Sequence, residues 1–356
     1  MLNRISTLLT TAKQRNTTVA RALCEANSWM SPGWYVVNGN IAWRIPGTGI
    51  KDAIHLYQGI VRSSVYGHLE KIIRSIDFVT PPNIIKIPNS EESGTAEYLM
   101  IPLSHGNFKI FDRDSKKVIT HYKPNSYRQL RYSYDLLKDV YPVVPLKFIK
   151  KNQKCLVKEP LITGPNFNNL NPHLKTKVLY SLIEASAMST QDSENKQWPR
   201  EQVSSLMTAL STDKTPKKWS DRVTSINTKI ECAIANMSLA PSHLDLHGKN
   251  ILYNHNYNSW HVIDLMTADW HPWYFDFLRL LLGEYIKTDQ RLIHNIEPTR
   301  FRTVCHQRDE FTSKRSAKLH FLIFLMCHMR RPHPPIKDWD AIESLYQDII
   351  KISSTT

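Results

Sequence analysis

Hydrophobic positions along the chain recur first at helical spacing, then at strand spacing, then at helical spacing again. Residues 4–25 and 50–76 carry apolar side chains every three or four positions, as one face of a helix requires, with a Trp- and Gly-containing stretch between them (Trp29, Trp34, Trp43, Gly47, Gly49). The polar run 89–94 reads as a loop or boundary. Beyond it residues 98–103, 108–111 and 118–122 read as three strands joined by polar turns, an antiparallel meander. Tyr127, Leu130, Tyr134 and Leu137 return to helical spacing, and residues 143–149 and 155–157 read as two further strands.

From Asn171 onward the pattern is helical. Leu174, Val178, Leu182 and Ala185 share one face, and Val223, Ile226, Ile230, Ile234 and Met237 share another, with a polar stretch over 191–221 that reads as including a surface loop. Strands and one helix followed by helices predict an α+β fold of two lobes. Residues 1–93 read as an amino-terminal extension without an assigned role, 94–160 as a small sheet lobe and 161–356 as a helical lobe, with the junction near 160–165.

Composition narrows the function classes. With 356 residues, 41% hydrophobic and 22% charged, and only 11 Gly and 20 Pro, the chain can bury a core, and fibrous or wholly disordered readings fail. The five cysteines are scattered with no CxxC pair, which argues against a disulfide framework or a cysteine-based zinc site and for a reducing, cytoplasmic setting. Zinc at Cys305-His306 and Cys327-His328 is disfavoured because Cys327 lies in an apolar run. No apolar run is long enough to span a bilayer. Lys and Arg total 46 against 32 Asp and Glu, a formal charge of +14, which favours an anionic partner: a nucleotide, a phosphorylated sugar or contact with an anionic surface. Nucleic acid is the minority reading, since no helix-turn-helix, zinc-finger or RNP-type pattern accompanies the charge.

One segment carries chemistry. His243-Leu-Asp-Leu-His-Gly-Lys-Asn-Ile-Leu252 contains His-x-Asp-x-x-x-x-Asn, and one short hairpin later an apolar strand ends in Asp264. Phosphoryl transfer needs a carboxylate to orient and deprotonate the attacking hydroxyl, and an amide plus a second carboxylate to hold a metal on the phosphates. Asp245, Asn250 and Asp264 suit those roles in that order.

Over roughly residues 94–290 the sequence resembles the aminoglycoside phosphotransferase and choline kinase family of the protein-kinase-like fold. The catalytic loop of that family reads approximately His-Gly-Asp-Leu-His-x-x-Asn-Ile-Leu; Leu244 stands here at the small second position. The second family motif is echoed by Ile263-Asp-Leu-Met-Thr-Ala268 and by Pro272-Trp-Tyr-Phe-Asp-Phe277, with one extra residue before Asp276. Leu156-Val-Lys-Glu-Pro-Leu-Ile-Thr-Gly164 resembles the strand-to-hinge connection that meets adenine, which brings in Glu159. The resemblance implies a two-lobed kinase-like fold, with ATP and Mg2+ as cofactors and residues 94–160 as the nucleotide-binding lobe. Asp245 would then be the base, Asn250 and Asp264 the metal ligands, His243 a loop brace and Asp276 structural. His247 would touch substrate or metal, or brace the loop.

The small lobe departs from the family. The helix after the third strand offers no Glu to pair with the phosphate-binding Lys; Asp135 or Gln129 would have to substitute, or neither does. Lys123 is the expected phosphate lysine, with Lys117 and His121 as competitors, and the turn at Gly106 would cover phosphates with backbone N–H groups. The expectation is a kinase acting on a hydroxyl of a neutral or anionic small molecule or glycan, such as a polysaccharide sugar or lipid head group, because a polycationic acceptor would be repelled. The competing expectations are a catalytically silent scaffold and a protein kinase acting in trans. The short stretch between Asp264 and the following helix argues against the latter.

Overall fold

The structure, a computed structural model, describes residues 17–23, 26, 30–38, 41–44, 84–87, 98–100, 107–112, 115–151, 154–162, 164–190, 215–225, 227–255, 257–287, 292–306, 310–330 and 338–354. The chain divides into two compact units, one of residues 1–128 and 145–162, the other of residues 129–144 and 163–356.

The first unit is an antiparallel sheet. Its strands are β1 (Gly33–Asn38), β2 (Ile41–Arg44), β3 (Ile84–Ile87), β4 (Tyr98–Met100), β5 (Phe108–Asp112), β6 (Lys117–Tyr122), β7 (Lys147–Lys151) and β8 (Lys154–Pro160), in the order β3-β1-β2-β4-β5-β6-β8-β7. The expected meander is β4-β5-β6, and β1–β3 continue the same sheet from within the stretch read as an extension. In β1, Tyr35 and Val37 are both buried, two positions apart, as period two demands. Helical residues 17–23 place Val19, Ala22 and Leu23 against Tyr35, Val37, Phe108 and Ile110. The expected helix over 50–76, the loop over 89–94 and Gly106 lie outside the described residues.

The chain leaves this unit through α1 (Pro124–Leu137), as the 127–137 spacing predicts. Residues 143–146 do not join the next strand: Pro142 and Pro145 remove ladder donors, Val143 makes an isolated bridge to Val262, and β7 starts only at Lys147.

The second unit is mainly helical: α2 (Pro172–Met188), α3 (Lys217–Thr224), α4 (Asn227–Asn236), α5 (Phe275–Lys287), α6 (Pro298–His306), α7 (Lys314–Met329) and α8 (Trp339–Ser354). Asn171 caps α2 by accepting the Leu174 N–H, with Pro172 at the first helical position, and Ser313 caps α7 through the Ser316 N–H. A buried ion pair, Lys175 Nζ to Glu284 Oε2 at 2.6 Å, joins α2 to α5. Two short sheets complete the unit: β9 (Leu239–Ser242) with β12 (Asp269–Pro272), and the hairpin β10 (Ile251–Asn254) with β11 (Ser259–Val262). Strands with one helix, then helices, make the α+β division that the sequence predicts. No described helix is long and apolar enough to cross a membrane.

The core of this unit is aromatic, with Trp219, Trp273, Tyr274, Phe275, Phe277, Phe311 and Phe321 fully buried. Among them His320 on α7 accepts the Tyr274 hydroxyl at Nδ1 over 3.2 Å, and burial pulls its pKa from 6.5 to about 4. The folded state therefore keeps this imidazole neutral while the unfolded chain protonates below pH 6.5. Stability is lost as pH falls from 6.5 to 4 and levels off below, by an amount on the order of 3 kcal/mol. Urea unfolding of the wild type and His320→Gln across that range is expected to show the stability difference shrinking towards acid pH; a constant difference would overturn the assignment.

Candidate active site

The segment between β9 and β12 is held by hydrogen bonds that begin at His243. All four residues of β9 are buried, so the strand delivers His243 into the interior, where it is fully enclosed. Its Nδ1 accepts the Asp245 N–H (3.3 Å), which leaves the proton on Nε2 to be donated to the Ile263 carbonyl (3.0 Å). The neutral ring thus ties the loop bearing Asp245 to the strand end bearing Asp264. Asn250 makes a second tie. Its Nδ2 donates to the Asp245 carbonyl (3.0 Å), and its own carbonyl accepts the Ile263 N–H (3.0 Å).

Asp276, in the first turn of α5, grips the loop from below. Its Oδ2 accepts the His243 N–H (2.6 Å) and the Tyr141 hydroxyl (3.0 Å), and its Oδ1 accepts the Leu244 N–H (3.1 Å). The carboxylate is fully buried, so these donors replace water. Burial, then the nearby Asp276 charge, holds the Tyr141 hydroxyl well above its ordinary pKa, so it keeps the proton it donates to Asp276 and accepts from Ser186. The grip matters because Leu244 sits at φ 66°, a conformation that glycine adopts freely and a leucine only under constraint. Asp264 is also left-handed, at φ 62°, which aspartate tolerates better. Gly248 permits a close approach: a Cβ there would lie 1.8 Å from Asn168 Oδ1.

The Asp245 carboxylate has two basic neighbours. Arg279 Nη2 donates to Oδ1, and His247 Nε2 lies 4.0 Å from Oδ2. Arg279 is largely buried and reaches His328 Nδ1 of α7 through Nη1 at 3.2 Å. This arginine escaped the sequence reading. It stands three residues after Asp276, on the same face of α5, a spacing that does not by itself name Asp245 as its partner.

A divalent cation suits the oxygens present. Asn250 spends its Nδ2 on a backbone carbonyl, so Oδ1 is its remaining polar atom, and Asp264 is exposed. Two hard oxygen donors, completed by waters and phosphate oxygens, are what Mg2+ takes. Among the described residues no group of three or more His, Cys, Asp or Glu could hold a metal alone. Cys305 and Cys327 are buried core thiols, and His328 serves Arg279.

No family model matches the sequence, and no curated protein matches it. Among solved structures the chain is similar to choline kinase LicA from Streptococcus pneumoniae, at 12% identity over 81% of this chain and 99% of that one, with a TM-score of 0.41. It is similar to a putative aminoglycoside phosphotransferase from Ralstonia eutropha (10% identity, 72% and 91% covered, TM-score 0.45). An aminoglycoside phosphotransferase from Alicyclobacillus acidocaldarius gives 13% identity, 73% and 92% covered, and a TM-score of 0.39. None of these scores reaches 0.5, so function rests on the chain's own residues.

The structure bonds His243, Asp245 and Asn250 to one another in the helical unit and ties them to Ile263, the residue before Asp264. In the sheet unit, Lys123 is exposed just past the end of β6, with its backbone N–H on Asn107 Oδ1 (3.1 Å). Lys117 is exposed opposite Asp112, and His121 stacks on Phe108 with ring centroids 4.9 Å apart. Glu159 faces Lys109, Nζ to Oε1 3.9 Å. On α1, Asp135 is taken by Lys138, one residue past the helix end, and Gln129 is exposed.

Proposed function

We propose that the chain transfers the γ-phosphoryl group of ATP to a hydroxyl of a small molecule or glycan, with Mg2+ as the metal. The observation that supports it is the bonded frame through His243, Asn250 and Ile263, which fixes the loop bearing Asp245 relative to Asp264. The acceptor hydroxyl hydrogen-bonds to Asp245. As its oxygen bonds to the γ-phosphorus and the bond to the bridging oxygen breaks, its proton passes to the Asp245 carboxylate and ADP departs. Asn250 Oδ1 and Asp264 would hold the metal, whose contribution is to neutralise charge on the phosphates. The +14 charge favours a neutral or anionic acceptor.

Within the sheet unit, Lys109 suits a phosphate better than Lys123 does. Residues paired directly across strands share a face, so Lys109, Thr120, Val157 and Phe148 form one row, and Phe148 packs edge-on against Tyr127 of α1. The opposite face carries Phe108, Ile110 and Ile119 beneath the amino-terminal hydrophobic layer. At 3.9 Å from Glu159 the Lys109 ammonium has a counter-charge but no hydrogen bond, so its three donors remain for phosphate oxygens. Glu159 thereby supplies the carboxylate that α1 lacks.

A second reading, a silent nucleotide-binding scaffold, is favoured by one observation: Arg279 occupies an oxygen of the proposed base. Thermal-shift titration with ATP and Mg2+ tests the common ground of both. A nucleotide at 100 times its dissociation constant stabilises by about 2.7 kcal/mol. The expected result is a metal-dependent rise in unfolding temperature for the wild type that Asp264→Asn loses. No rise in the wild type at millimolar nucleotide would sink both readings.

A further inference from the structure

Helices α3, α4, α7 and α8 enclose a cavity of about 440 Å³, within the range of small-molecule sites, and its α7 cations stand at the opposite end of that helix from His328, the partner of Arg279. Its walls carry Arg222, Lys229, Lys314, Arg315 and Lys318, and among the described residues no acidic one lines it. We propose that this cavity binds a compact anion bearing two or more phosphate groups, at a site separate from the proposed phosphotransfer chemistry.

The arrangement costs stability when empty of anions. Lys314, Arg315 and Lys318 occupy the start of α7, where the helix dipole is positive and no acidic residue stands in the first turn. Lys314 and Lys318 are four residues apart, a spacing at which like charges repel. Arg222 is already paired: it makes two hydrogen bonds to Glu343, at 2.9 and 3.0 Å, a carboxylate that Lys218 also approaches to 3.3 Å, and it lies over the rings of Trp219 and Tyr346 at 4.5 and 4.6 Å. It is a fixed wall. Among the described residues the other four cations form no ion pair, leaving four positive charges on one concavity. Two phosphates of about −1.5 to −2 each balance that number. Tyr346 and the aliphatic side chains of α7 and α8 give the cavity an apolar floor for the body that carries the phosphates.

The phosphates could belong to a soluble organic polyphosphate or to a phosphorylated lipid head group, and the experiment separates these sources. Binding is measured on the full chain without magnesium, at constant ionic strength, with three probes: inorganic pyrophosphate, a soluble inositol bisphosphate, and phosphatidylcholine vesicles containing the corresponding phosphoinositide. The proteins are wild type, Lys314→Gln/Lys318→Gln, Asp264→Asn, and Lys147→Gln/Lys150→Gln as a control with the same loss of charge on the sheet unit. The expected result is binding of at least one probe by wild type, weakened tenfold or more in the pocket variant and unchanged in the other two. Binding of the soluble probes names the soluble source, and binding of vesicles alone names the lipid. The pocket variant is also expected to unfold, without ligand, at or above the wild-type temperature, since a repulsion has been removed. No binding of any probe, equal binding by the pocket variant, or equal weakening by the control pair would overturn the proposal; the last would assign the attraction to overall charge. Because Lys314→Gln/Lys318→Gln leaves Asp245, Asn250 and Asp264 intact, and the metal-dependent ATP response is read separately with Asp264→Asn, failure here and failure of the phosphotransferase reading are distinguishable.

Discussion

Replacing Asp245 by Asn is expected to lower phosphoryl transfer by about 100- to 10,000-fold, the range for loss of a positioned general base, while the thermal response to ATP and Mg2+ survives. An amide of the same shape can still accept from Arg279, so the buried guanidinium keeps a partner and the fold stands. It cannot take a proton from the acceptor hydroxyl. The rate of ADP formation, with water and with a panel of hydroxyl acceptors, is the readout. Turnover within threefold of wild type, with nucleotide binding intact, would remove Asp245 from the chemistry. A wild type that binds nucleotide but never turns over would favour the silent scaffold, with the Arg279 pairing as its structural basis.

What the sequence disclosed, and what it withheld, follows from the range of the interactions involved. Strands β5 and β6 and helix α1 were legible because period is a local property: Phe108 and Ile110, and Leu130 and Leu137, announce their faces within a few residues. The motif residues His243, Asp245, Asn250 and Asp264 were legible because their spacing along the chain follows from the short loop and hairpin that carry them. Arg279 was not. Its role depends on α5 lying against a loop more than thirty residues earlier in the chain, and nothing local marks an arginine as the partner of a distant carboxylate. The lysine choice had the same difficulty. Lys123, Lys117 and Lys109 are equivalent in a sequence, and only the register of β5, β6 and β8 separates the face covered by residues 17–23 from the face that bears Lys109. Strands β1–β3 were passed over because Trp and Gly in that stretch masked the alternation of Tyr35 and Val37.

Asp276→Ala is expected to be the most destabilising substitution at the site, and its effect on turnover should exceed what instability explains. The change strands the His243 and Leu244 N–H groups in the interior and takes one partner from Tyr141, which retains Ser186 at 2.9 Å. Each buried donor left unsatisfied costs about 1–3 kcal/mol, so a loss of roughly 3–6 kcal/mol follows. Tyr141→Phe, which leaves both backbone donors on the carboxylate, is expected to cost only about 1 kcal/mol. The asymmetry between the two variants measures the grip on the loop. That grip is also what holds Leu244 at φ 66°, and a leucine freed from it relaxes towards negative φ and turns the following residue, Asp245, away from its place. Assayed at a temperature where circular dichroism shows it folded, Asp276→Ala should therefore still lose turnover. A variant that is folded, less than 1 kcal/mol destabilised and fully active would show that the strained loop holds its own shape, and the role given to Asp276 would fall.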